Sequence, residues 1–105
     1  MFAVLYSFKV ISGKAENFQK GWSGLTKLIY QYENSLGSRL HKTGPDTYIA
    51  YAQWPNKSTW ENAGGNLPEQ ANEFRKLMKE SCSEIKTDSE LELAIDLLKQ
   101  EQFSR

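Results

Sequence analysis

Few side chains in this sequence suit chemistry near neutral pH. His41 is the single histidine and Cys82 the single cysteine. Imidazole is the side chain that ordinarily titrates near neutrality, so His41 is the natural candidate for a general base. The other reading of a lone histidine near a hairpin turn is a half-exposed surface residue. Arg39 offers guanidinium donors for an anionic substrate or an oxygen-centred anion, or else an ion pair at a surface or interface. Tyr6, Tyr48 and Tyr51 can each bind a substrate hydroxyl or orient water, and each also suits cross-strand packing. Trp22, Trp54 and Trp60 are large apolar surfaces. Trp22 fits a helix core, Trp54 a strand end serving a dimer, and Trp60 a cavity wall or a helix anchor.

Other chemistries are excluded by what is missing. One cysteine rules out an internal disulfide or a CxxC site for zinc or redox work, and Cys82 reads as a small buried hydrophobe. Gly21-Trp22-Ser23-Gly24 interrupts a helix and lacks the lysine-serine ending of a phosphate loop. Glu90, Glu92 and Asp96 have no identifiable facing acid, so they read as a solvated strand face. Thirteen basic against thirteen acidic residues give zero formal charge, which removes a general attraction for nucleic acid or anionic membrane. No segment reaches the roughly 20 apolar residues of a membrane span, and the N-terminal run lacks a signal peptide's pattern. The expectation is a cytoplasmic protein with no metal and no cofactor, no nucleic-acid partner and no membrane partner.

The elements that must position these residues follow from periodicity. Phe2, Val4, Tyr6, Phe8 and Val10 share one phase of an alternating run that ends at Ser12-Gly13, which predicts a strand. From Lys14 to Asn34, Phe18, Trp22, Leu25, Ile29 and Tyr32 recur at helical steps, with Gly21 and Gly24 letting the helix approach a sheet. Leu36-Gly37 reads as its exit. Residues 38–42 and 47–54 form a hairpin around Thr43-Gly44-Pro45-Asp46. Pairing Lys42 with Thr47 would set His41 opposite Tyr48 and Arg39 opposite Ala50, and would give Arg39, His41, Tyr48 and Trp54 one face. Asn56-Lys57-Ser58-Thr59 offers several caps for a short helix carrying Trp60, and Asn66 with Glu69 reads as the capping start of a longer helix running to about Ser81. In the tail, Leu91, Leu93, Ile95 and Leu97 alternate as a strand would, although Leu91, Ala94, Ile95 and Leu98 also suit a helix; we read the strand.

The order β-α-β-β-α-β is the split βαβ, ferredoxin-like arrangement: an α+β fold with helices on one face of a four-stranded antiparallel sheet. At 105 residues this is a single domain, 1–105, with a core over 2–98 and a short tail over 99–105. The first and third strands are apolar on both phases, Leu5 opposing Val4, and Ile49 and Tyr51 opposing Tyr48 and Trp54. A sheet apolar on both faces calls for cover on both, which a homodimer packing sheet against sheet supplies; the other reading is the ordinary scatter of exposed apolar residues.

The opening strand, Trp22, Gly37-Ser38-Arg39-Leu40-His41 and above all Tyr51-Ala52-Gln53-Trp54-Pro55-Asn56-Lys57-Ser58-Thr59-Trp60-Glu61 resemble an antibiotic biosynthesis monooxygenase (ABM) domain over about Phe2 to Ser81. The resemblance implies a dimeric α+β barrel with a cavity between sheet and helices in each protomer. It also implies cofactor-independent, monooxygenase-like oxidation of a small hydrophobic aromatic compound. His41 would then be the base, and Trp60, Arg39, Tyr6, Tyr48, Tyr51 and Trp22 would bind the substrate. Two alternatives share the scaffold: a non-catalytic small-ligand binding or stress-associated protein, and a haem-binding or haem-degrading protein. The haem-degrading branch carries a histidine on the longer second helix, and the family usually carries an asparagine on the first strand. Here those stretches read Phe74, Leu77, Met78 and Tyr6-Ser7-Phe8.

Overall fold

In the computed structural model, which describes residues 1–99, the alternating opening run forms β1 (Phe2–Val10) and the amphipathic run forms α1 (Ala15–Tyr32). They are followed by β2 (Gly37–Lys42), β3 (Thr47–Trp54), α2 (Lys57–Glu61), α3 (Gln70–Glu80) and β4 (Cys82–Glu92). The sheet order is β2-β3-β1-β4 and every neighbouring pair is antiparallel, so the fold is ferredoxin-like α+β as expected. The part of the expected tail from residue 100 onward lies outside the described residues. Among the described residues, no helix is long and apolar enough to cross a membrane.

The helix-side core gathers one phase of each strand. Phe8, Val10, Phe18, Tyr48 and Ala50 form one buried cluster, in which Phe18 packs tilted against Phe8 and Tyr48 at centroid distances of 5.0 and 4.9 Å. Phe2, Val4, Ala52 and Trp54 form a second, and Leu25, Leu28 and Ala71 join α1 to α3. Buried apolar area of this kind is the main favourable contribution to folding.

Four expectations are corrected. The hairpin register is displaced by one residue: Lys42 pairs with Tyr48, His41 with Ile49 and Arg39 with Tyr51. The cause is local, because Thr43 bonds across to Thr47 through its N–H (2.9 Å) and its hydroxyl (2.8 Å), which closes a loop of odd length. A one-residue slip exchanges the faces of a strand, so Arg39 and His41 share a face with Tyr51 and not with Tyr48 and Trp54. The last strand is Cys82–Glu92 and not the apolar alternation after it, and residues 93–99 carry no regular secondary structure. This edge strand is polar because it has a solvated border, and polarity on an edge discourages pairing with other chains.

Asn66 does not cap α3, which begins at Gln70. Its backbone N–H and its side-chain amide donate instead to the carboxylate of Glu33 at 3.0 and 3.3 Å. Finally, Gly21 and Gly24 open α1 towards α3 and not towards the sheet. A Cβ at Gly21 would lie 2.8 Å from the backbone nitrogen of Met78, and one at Gly24 would meet the Phe74 ring.

Candidate functional site

Tyr6 projects from the middle of β1 on the helix side, opposite an irregularity in the edge strand. Leu5 pairs with Ser89 but Tyr6 pairs with Thr87, which leaves Asp88 as an extra residue beside it. Bulges of this kind re-aim neighbouring side chains. The hydroxyl oxygen of Tyr6 accepts a 2.9 Å hydrogen bond from Nε1 of Trp60. That bond uses the oxygen and leaves the phenolic proton, which has no acceptor among the described residues. Burial pushes the Tyr6 phenol above its ordinary 10.0, with the Trp60 bond pulling the other way. At neutral pH Tyr6 is therefore a hydrogen-bond donor and not a base.

Trp60 is held by two polar devices. Asn56 caps α2, its side-chain oxygen accepting from the N–H and hydroxyl of Thr59 at 2.8 and 2.9 Å, and this fixes Trp60 one turn into the helix. Beyond α2 the chain is tied down by Glu33, a buried carboxylate that accepts from Gly64 N–H (2.7 Å) and from Asn66. The ring of Trp60 also packs on Phe2 at 5.7 Å. Glu33 escaped the sequence reading. A signal was present, since an acid at a helix C-terminus opposes the helix dipole and needs another reason to be there.

Tyr6 opens onto a cavity of about 240 Å³ between the sheet and the helices. Its apolar walls include Phe8, Trp22, Ile29, Trp54 and Met78, and among the described residues no carboxylate, lysine, arginine or histidine lines it. Two of its hydroxyls are committed to backbone, Ser35 donating to Gln53 O (3.4 Å) and Ser38 to Tyr51 O (3.0 Å). Trp54 forms part of the wall and is not a strand-end surface residue. It is 4% exposed, and its indole N–H is buried without an acceptor among the described residues.

The expected site residues thus divide between two faces. Tyr6 and Trp22 line the cavity, and Trp60 stands behind Tyr6, orienting it without forming the wall. Tyr48 is on the same helix side, buried at 3% exposure, with its hydroxyl accepting from Gln19 Nε2 at 3.1 Å. Arg39, His41 and Tyr51 occupy the opposite face of the sheet, where Arg39 and His41 are exposed. His41 is therefore separated from the cavity by the thickness of the sheet. Cys82 begins β4 at the edge of the core, and burial pushes its thiol up, away from the reactive thiolate.

This fold is the one adopted by antibiotic biosynthesis monooxygenase structures. SnoaB from Streptomyces nogalater, described as a cofactor-independent oxygenase, superposes with a TM-score of 0.71 at 11% identity, over 93% of this chain and 97% of its own. A protein of Bordetella bronchiseptica assigned as an antibiotic biosynthesis monooxygenase gives 0.71 at 18% identity over 90% and 97%. One from Nitrosomonas europaea, similarly assigned, gives 0.72 at 10% over 90% and 100%. No family model and no curated protein sequence matches the chain. At such low identities the likeness fixes the fold and leaves the chemistry to the site.

Proposed function

We propose that this protein holds a small, largely aromatic compound in the cavity beside Tyr6 and oxidises it with molecular oxygen, as a cofactor-independent monooxygenase. The observation that carries this reading is the Trp60-held phenol of Tyr6, presenting its proton in a largely apolar chamber. The fold shared with SnoaB, described as a cofactor-independent oxygenase, supports it.

The chemistry asked of the site is modest. A substrate with an acidic C–H beside a carbonyl loses a proton to become an enolate, and the Tyr6 O–H stabilises the negative oxygen. With no basic side chain on the cavity wall among the described residues, that proton leaves to water at the cavity mouth, outside the apolar walls. The enolate supplies the electrons that reduce oxygen. In balance, one methylene and one molecule of oxygen become one carbonyl and one water: one oxygen atom enters the product and the other leaves with both methylene hydrogens. Apolar walls keep water from the intermediate.

Anthrone is the simplest probe, and the expected result is uptake of one molecule of oxygen per anthraquinone formed, saturable in anthrone and above the rate in buffer. The absence of a basic residue from the walls favours a second reading, binding without turnover. Saturable anthrone binding with oxygen uptake no faster than in buffer would establish that reading and remove the enzyme. The haem reading does not fit the residues present, since the one histidine, His41, is across the sheet from the cavity.

The face carrying His41 bears on assembly. Leu5, Ile49 and Tyr51 are only partly covered there, and Ile95 and Leu97 beyond the sheet are 78% and 88% exposed. Apolar area of this extent is better buried against a second copy than left in water. We therefore expect light scattering to give the mass of two chains for the wild type at micromolar concentration. Ile49→Glu places a carboxylate in the middle of that face and should shift the mass to one chain. A wild type already at the single-chain mass would refute the pairing.

A further inference from the structure

A second hollow adjoins the first. The first half of α1 and the edge strand β2 diverge to leave a groove of about 390 Å³, lined by Gln19, Ser23, Leu40, Lys42 and Tyr48. Trp22 and Ser38 line both spaces, so the groove lies next to the apolar cavity, on the far side of a wall that Trp22 and Ser38 form. The groove by itself exceeds the roughly 300 Å³ at which small-molecule sites begin, and a turn of the Trp22 side chain would join it to the cavity.

The groove differs from the cavity in kind. The register that turns Arg39 and His41 to the far face turns Ser38, Leu40 and Lys42 to this one. Among the described residues, Lys42 forms no ion pair and no carboxylate lines the groove. The oxygen of the Tyr48 hydroxyl accepts from Gln19, so its own proton is left to donate, with no acceptor among the described residues. A cation and a phenolic O–H at one end, and an apolar chamber at the other, describe an amphiphile in negative.

We propose that Lys42, assisted by Tyr48, forms an anion subsite, and that the compound held in the cavity is an aromatic carboxylate. The inference rests on the cavity being a small-molecule site and adds the charge of its occupant. A carboxylate is strongly hydrated and would not choose an apolar chamber by itself. Beside an ammonium and an O–H donor it gains charge-assisted hydrogen bonds that offset that loss.

The test is calorimetric titration with anthraquinone-2-carboxylate and with its neutral methyl ester. Lys42→Met should weaken the carboxylate about tenfold, as expected for losing a hydrogen bond to a charged group, and leave the ester unchanged. Lys42→Arg should retain the affinity. The Lys42-dependent gain should shrink in high salt, because the groove mouth is open to screening. Lys86→Met, on the opposite face of the sheet, makes the same change in net charge and should have no effect.

If the ester binds and Lys42→Met leaves the carboxylate affinity intact, the subsite is wrong and the cavity stands. Equal weakening of both probes, or equal weakening by Lys86→Met, also overturns it, the first as structural damage and the second as unspecific charge. If neither probe binds the wild type, the small-molecule site falls and the subsite with it.

Discussion

Tyr6→Phe lowers the rate of anthrone oxidation about a hundredfold, in line with removing one donor from a developing oxyanion, while anthrone affinity changes little. The asymmetry has a physical origin. The phenol bonds weakly to a ketone and strongly to the enolate formed from it, so its loss raises the barrier more than it weakens the ground state. Trp60→Phe should cost about tenfold, as expected of a group that orients a donor without touching substrate. Trp60 acts through the 2.9 Å bond to the Tyr6 oxygen, so the double variant should be no slower than Tyr6→Phe alone. A further readout follows from the raised phenol. Wild-type turnover should hold until the pH passes above about 10, where an ionised Tyr6 can no longer donate. In Tyr6→Phe that fall should be missing. Undiminished turnover in Tyr6→Phe would take the donor role away from Tyr6.

Gly21→Ala should be strongly destabilising, more so than Gly24→Ala, because what it meets is backbone. A Cβ there would stand 2.8 Å from the Met78 nitrogen and 2.9 Å from the Phe74 carbonyl oxygen, both backbone atoms of α3. Neither can move unless the helix moves. Alanine improves helix propensity by up to about 1 kcal/mol, but overpacking of this kind costs about 3 kcal/mol. The net loss of about 2 kcal/mol corresponds to roughly 10 °C in melting temperature for a domain of this size. Gly24→Ala is the informative comparison. The contact there is the Phe74 ring, a side chain that can turn away, so the cost should be about half as large. Urea unfolding at a fixed protein concentration measures both. A Gly21→Ala protein as stable as the wild type would show that α1 and α3 are not in backbone contact.

Glu33 illustrates how a polar residue far from the cavity bears on it. Its buried carboxylate holds the chain after α2 through Gly64 and Asn66, and α2 carries Trp60, which in turn holds Tyr6. Satisfied on several bonds, such a carboxylate rigidifies its surroundings; half satisfied, it would destabilise them. Its partners come from 31 and 33 residues along the chain, a separation that no local pattern spans.

The order of elements, the alternation of β1, the stripe of α1 and a short helix starting within residues 56–59 were legible in the chain because each is set by contacts within a few residues. Periods of 2 and 3.6, a cap and a turn are local facts. The polar edge strand β4 was not legible, since its pairing to β1 outweighs its composition. Nor was the face of His41, Arg39 and Tyr51, because face depends on register and register was shifted by the Thr43–Thr47 bonds. Tertiary structure alone decided that Tyr6 and Trp60, 54 residues apart, share a hydrogen bond, that Lys42 and Tyr48 border one groove, and that His41 is away from both. Local sequence chooses what each segment becomes. Which side chains meet depends on how distant segments are aligned, where a displacement of one residue reverses the outcome.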